Sequence, residues 1–244
     1  MIITITKKKI TKIVDHKVKK IGDGFLKHNT SLTSLEMTAL ETVGDDCLGY
    51  NKCLTTVLLP KLEEAGDAFM CKNEYLTALA LPNLVKTGSY FLYLNYLVEQ
   101  LDLPKLEKVG CLFMFKNTSL TYLALPELVS TGNSFFCSNR SIEQVDLPKL
   151  EETCSFFLYE NERLTYLALP KLVKTGSHFL TKNECLAKIV LLKLKRIYSS
   201  FLQYSISLTN VEMPEKVIYI DLINGSEETL NTREHLSMTN PNLI

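Results

Sequence analysis

Two aspartates, Asp102 and Asp146, stand 44 residues apart in the same setting, Glu-Gln-x-Asp-Leu-Pro, and two tyrosines, Tyr122 and Tyr166, stand 44 apart in another, Leu-Thr-Tyr-Leu-Ala-Leu-Pro. Paired carboxylates can share acid and base work, as in inverting glycosidases, which hold theirs roughly 6.5 to 9.5 Å apart. Carboxylates beside tyrosines and glutamines can equally grip a partner, since Tyr buries much area at little entropic cost and keeps a polar tip. Seven cysteines (47, 53, 71, 111, 137, 154 and 185) and four histidines (16, 28, 178 and 235) are the other reactive side chains. The cysteines are odd in number and irregularly spaced, with no CxxC pair, which argues for reduced thiols rather than a disulfide framework or a zinc site. A Cys/His nucleophile has no spacing to support it. The chain contains no GxxxxGK[ST], no GxGxxG after a strand, no HExxH and no GxSxG, so the phosphate, dinucleotide, metalloprotease and hydrolase signatures are missing. The reading is non-catalytic, with no cofactor and no metal.

These residues must be positioned by a repeat. Blocks of 22 residues begin at Ile10, Leu32, Leu54, Leu76, Val98, Leu120, Ile142, Leu164 and Leu186 without an insertion, and a partial block begins at Leu208. Positions 1, 4, 6, 9, 12, 16 and 17 of the block are apolar or small, an inward-facing set. Positions 3 to 6 alternate, the period of a short strand with one buried face. Prolines 60, 82, 104, 126, 148, 170 and 214 fall at position 7, where a residue without an N–H ends ladder pairing. Each block therefore predicts a strand, a corner and a return, and stacked blocks predict one parallel sheet along the array.

Three further columns follow from the register. Position 13 is Gly in seven of nine blocks (22, 44, 66, 88, 110, 132 and 176) but Cys154 and Tyr198 in the others, which favours close approach of neighbouring coils over a strict need for positive φ. Position 16 is Phe in eight (25, 69, 91, 113, 135, 157, 179 and 201), predicting a buried spine of rings. Position 20 is Asn in eight (29, 51, 73, 95, 117, 139, 161 and 183), predicting amides that satisfy backbone groups where the chain turns. Asn29, Asn117 and Asn139 also form glycosylation sequons, a weaker reading of the same column.

The pattern LxxLxLPxLxxxGxxFLxxNxx resembles leucine-rich repeats of the BspA-like (Treponema pallidum type) class. It departs from that class in a period of 22 rather than 23 and in Asn where Cys is common. The resemblance implies a curved right-handed array, an α/β repeat solenoid dominated by β structure, with a parallel sheet on its concave face and nine full repeats plus a partial one. It also implies adhesion or host-protein binding without a single catalytic site.

Blocks from Leu76, Leu120 and Leu164 share LTxLALPxLVxTG, and those from Val98 and Ile142 share EQxDLPKLE, so the array grew partly by duplicating 44-residue pairs. The predicted organisation is a capping strand over 1–9, the solenoid over 10–217, and a C-terminal cap and polar tail over 218–244. Val217 to Leu222 reads as a closing strand, and the tail as carrying one short helix. Seven lysines between Lys7 and Lys20 read as an edge strand kept soluble by charge rather than as a polybasic contact. Equal totals of 27 basic and 27 acidic residues exclude a strong net field toward nucleic acid or anionic lipid. The first 20 residues hold only short apolar runs broken by lysines, so neither a signal peptide nor a membrane span is expected. The expected location is cytoplasmic, or outside after export without a cleavable signal.

The functional expectation is a monomeric scaffold with a partner-binding face for a protein, and a role in host interaction as an effector. Outward strand positions 3 and 5 place Gln100, Asp102, Tyr122, Gln144, Asp146 and Tyr166 together in the central blocks. Glycan or surface adhesion through the same side chains is the alternative. With strands about 4.8 Å apart, Asp102 and Asp146 should stand roughly 10 Å apart on an open sheet, a binding pair more than a catalytic one.

Overall fold

The computed structural model describes residues 2–6, 9–222, 225–232 and 236. Each block closes one coil of a β-solenoid of about nine turns. Positions 3 to 5 form the strands of one ladder, among them Thr56–Leu58, Ala78–Ala80, Gln100–Asp102, Tyr122–Ala124, Gln144–Asp146, Tyr166–Ala168, Lys188–Val190 and Asn210–Glu212. The pairing is parallel and shifts by one period per coil, so that Tyr122 lies opposite Gln144 and Lys188 opposite Asn210. At the middle of each strand the residue of position 4, such as Leu79, Leu123, Val145 and Leu167, points inward and is buried.

Two features differ from the single continuous sheet expected. The hydrogen-bonded ladder is divided, with pairs Ala78–Ala80/Gln100–Asp102 and Tyr122–Ala124/Gln144–Asp146 separated from their neighbours. The divisions fall between the 44-residue duplicated units. A second parallel ladder runs along positions 11 and 12, through Lys20–Ile21, Thr42–Val43, Glu64–Ala65 and Lys86–Thr87. Single-residue bridges then carry it through Lys108, Ser130, Glu152 and Lys174 to Arg196.

The return path has no helix. Its backbone takes left-handed φ at positions 15, 17 and 19 of every coil, as at Ser134 (57°), Phe136 (54°) and Ser138 (57°). A non-glycine residue there costs roughly 1 to 2 kcal/mol, and hydrogen bonds between coils offset it. Ser134 N–H donates to Ser155 O (2.8 Å), Phe136 N–H to Phe113 O (2.9 Å) and Ser138 N–H to Tyr159 O (2.8 Å). Among the described residues, helical conformation is confined to Thr232 and Leu236.

The core columns are in register. Phe69, Phe91, Phe113, Phe135, Phe157, Phe179 and Phe201 are buried, and from Phe91 to Phe201 successive rings stack at 5.2 to 5.4 Å with interplanar angles of 3° to 9°. The glycine column reflects close approach: a Cβ on Gly132 would lie 2.5 Å from the carbonyl carbon of Gly110, whereas Gly22, with no coil before it, meets nothing within 4 Å. None of these column glycines has positive φ.

The ends are covered by antiparallel strands. Ile2–Thr6 pairs with Lys9–Asp15, so the lysine-bearing strand is not itself the outer edge. Lys7 and Lys8 lie outside the described residues. At the far end Lys216–Ile220 continues the second ladder beside Arg196–Ile197 and pairs antiparallel with Glu227–Asn231. That strand occupies part of the tail, and the short helix expected there lies largely outside the described residues.

Candidate binding face

A strand of period two sends positions 3 and 5 outward whenever position 4 is buried. That rule puts all six sequence-selected residues on one exposed face spread over four successive coils. Tyr122 and Tyr166 are each 49% exposed. In one row Gln100, Tyr122, Gln144 and Tyr166 follow one another, with Lys188 next to Tyr166. In the adjoining row Asp102 lies opposite Ala80 and Asp146 opposite Ala124, so carboxylates alternate with methyl groups. The half-buried Ala124 and Ala168 leave low ground beside the rings.

Asp102 and Asp146 are exposed, and among the described residues no ion pair reaches either. Two coils separate them, roughly 10 Å at one strand spacing per coil, on an open surface. That geometry suits two independent cationic contacts; a shared catalytic proton would need a closed site. Among the described residues no three His, Cys, Asp or Glu side chains gather as metal ligands. The histidines are dispersed: His16 bonds the Thr38 hydroxyl (2.8 Å), while on the return path His28 lies tilted against Tyr50 and His178 stacks on Phe156. His235 lies outside the described residues. Burial pushes the thiols of Cys47 and Cys71 up and that of Cys137 up to about 12, against a nucleophilic role.

Sequence reasoning from positions 3 and 5 alone missed part of this surface. Glu99 and Glu143, at position 2 of the same coils as Asp102 and Asp146, are also exposed, so each of those coils presents two carboxylates. The signal was present in the shared Glu-Gln-x-Asp. Glu143 lies 4.0 Å from Arg163, whereas no ion pair among the described residues involves Glu99. At the C-terminal end Lys188 and Glu212 pair at 2.6 Å, and a cleft of about 870 Å³ opens between the last ladder strand and Asn231 and Thr232.

Comparison with known proteins places the fold. The model of the BspA type leucine rich repeat region matches residues 6–113 and 112–223. A leucine-rich repeat protein from Bacteroides ovatus is similar over 88% of this chain and 57% of its own, with 20% identity and a TM-score of 0.54. The chain thus spans less than two thirds of that protein. The pneumococcal vaccine antigen PcpA is similar over 93% of this chain and 70% of its own, with 16% identity and a TM-score of 0.52. At these identities the likeness is one of fold. The search of curated proteins returned no match. Among the described residues no helix is long and apolar enough to cross a membrane.

Proposed function

The chain belongs to the BspA-type leucine-rich-repeat family, and from that premise we propose that it is a non-catalytic scaffold that binds a protein through the outward face of its strand ladder. Repeat proteins of this family generally serve protein binding or adhesion, and no catalytic family is indicated. The observation that carries the proposal is the alternation on that face of exposed tyrosines with Asp102 and Asp146, which have no ion pair among the described residues. The rings supply apolar area with a polar tip, the alanines supply room, and Asp102 and Asp146 supply charge for basic groups about 10 Å apart on the partner. A fixed backbone lowers the ordering cost of association. Within this reading 1–9 is an N-terminal capping strand, 10–217 carries the face, and 218–244 closes the other end. A host protein is one source of such a partner, and the chain itself acts as a monomer.

Affinity capture with the intact chain, followed by titration of the captured protein, tests the reading. Tyr122→Ala and Tyr166→Ala should each weaken binding by about 1 kcal/mol or more without moving the unfolding midpoint. Lys61→Ala, on an exposed site outside the patch, should leave affinity unchanged. Binding that depends on Lys61 and ignores both tyrosines sinks the proposal. Tyrosines beside carboxylates also suit sugars, so a glycan array is the second arm. Strong glycan signals lost in Tyr122→Ala would move the assignment to adhesion.

A further inference from the structure

The return path carries a second feature, independent of the strand face. Position 18 forms the column Tyr93, Phe115, Cys137, Tyr159 and Thr181 in successive coils. Tyr93 and Phe115 stack at 5.3 Å and 12°. The next side chain is a thiol, and the rings resume with Tyr159, which meets Phe156 edge-on at 5.7 Å. Position 15 repeats the gap, because Ser134 precedes Phe156, whose ring stacks on His178 at 4.5 Å and 8°. The coil from Leu120 therefore lacks a ring at both positions, between Phe115 of the coil before and Phe156 and Tyr159 of the coil after.

The result is a slot of about 310 Å³ with Phe115 on one side, Phe156 and Tyr159 on the other, and Cys137 as its floor. That volume is at the lower end of small-molecule sites. Phe115 and Tyr159 are two coils apart, about 10 Å at one strand spacing per coil. A ring placed midway lies about 5 Å from each, inside the 4.5 to 7 Å range of aromatic pairs. Tyr93 and Phe115 already show that this part of the backbone holds rings at such a spacing.

The slot is also charged in one sense. Lys116 Nζ stands 5.3 Å from the centre of the Phe115 ring, and among the described residues no carboxylate lies within ion-pair distance of it. Glu160, on the opposite wall, is balanced by Lys182 (2.9 Å) and accepts from the Ser138 hydroxyl (3.2 Å). The floor is neutral: the Cys137 thiol donates to Phe156 O at 2.8 Å.

We propose that this slot binds a planar aromatic carboxylate, its ring between Phe115 and Tyr159 and its charge at Lys116. The chain contains no tryptophan, so the emission of an added indole, excited at wavelengths longer than tyrosine absorbs, reports the probe alone. Titration of indole-3-acetate with the intact chain should give a saturable change, displaced by benzoate but not by an aliphatic carboxylate of equal charge. Cys137→Phe supplies the missing ring from a position that holds rings in neighbouring coils. It should abolish binding at least tenfold while leaving the unfolding midpoint unchanged or higher. Cys137→Ser leaves the slot open and should retain affinity. Lys116→Gln should weaken indole-3-acetate but leave the neutral indole amide unchanged. If Cys137→Phe fails to fold, Phe115→Ala takes its place, with a tenfold loss expected. Unaltered binding in whichever of these two variants folds, or equal displacement by the aliphatic acid, overturns the proposal.

Discussion

The asparagine column shows what one residue contributes when it recurs. Asn139 is fully buried, donates through Nδ2 to Met114 O (2.9 Å) and Cys137 O (3.2 Å), and accepts from Asn117 N–H through Oδ1 (2.5 Å). The amide thus ties its own coil to the one before, while its backbone N–H donates to Asn161 Oδ1 of the next (3.0 Å), and its burial rules out the glycosylation reading for that position. Removing it leaves buried backbone groups unpaired at about 1 to 3 kcal/mol. Asn139→Ala should therefore lower the denaturant midpoint clearly. Ser205, whose hydroxyl among the described residues donates to Leu180 O (3.0 Å), should cost less as Ser205→Ala. Equal losses would contradict the hydrogen-bonding account. Asp15 has a different role at the first coil, where it stands at an inward position otherwise filled by Leu or Met. Its Oδ1 accepts the N–H groups of Val18 (2.7 Å) and Lys17 (2.9 Å), which hold the carboxyl down at about 2. A depressed folded pKa means stabilisation that is full above the unfolded value near 4 and is lost as pH falls through about 2. Protection of the Lys17 and Val18 amides against exchange, relative to the unfolded rate at each pH, should fall between those pH values in the intact chain, and Asp15→Ala should show that loss already at neutral pH.

At the scale of the element, the strand, its proline exit, the phenylalanine spine and the asparagine turn were legible because each puts one residue type at one position. The left-handed turn residues were not. Leu26, Asp46, Lys72 and Glu160 share that conformation without sharing chemistry, since hydrogen bonds between coils impose it. The second ladder was hidden for a related reason: it spans only one or two residues per coil, too short for an alternation to register. The threonines of position 12 were read as apolar or small, and the structure buries them. The hydroxyls of Thr87, Thr131, Thr153 and Thr175 have no hydrogen-bond partner among the described residues. An unpaired buried hydroxyl carries a desolvation penalty of roughly 1 to 3 kcal/mol, and valine has nearly the same shape without it. Thr153→Val should thus hold or raise the unfolding midpoint, by up to a few degrees. Thr153→Ala opens a void and should lower it. A loss in Thr153→Val as large as in Thr153→Ala would mean that the hydroxyl is bonded. The binding face was legible at positions 3 and 5, but Glu99 and Glu143 lie before the alternation begins: the buried Val98 and Ile142 precede them, and the next inward residue comes only at position 4, so no period of two marks them as outward.

At the scale of the whole molecule, a solenoid is governed by nearest neighbours, because each coil touches only the coils before and after it. Here the unit that duplicated is a pair of coils, and hydrogen bonding in the first ladder keeps pairs together. The array should therefore tolerate loss of one 44-residue unit better than loss of any fractional length. Deleting 98–141 joins Leu97 to Ile142, so the coil from Leu76 meets another Glu-Gln-x-Asp coil in place of the one it lost. Ring, asparagine and proline columns all stay in register. The shortened chain should fold cooperatively, with a denaturant slope lower by about a fifth, since the slope follows the surface exposed on unfolding. Deleting 98–130 removes one and a half periods, places inward leucines where outward residues belong, and should give no folded protein. The 44-residue deletion also takes away Gln100, Asp102, Tyr122, Phe115 and Cys137. Both the strand-face partner and the aromatic carboxylate should be lost from a molecule that remains folded, as judged by its circular dichroism. A folded deletion variant that still bound either one would show that recognition lies elsewhere on the coil stack.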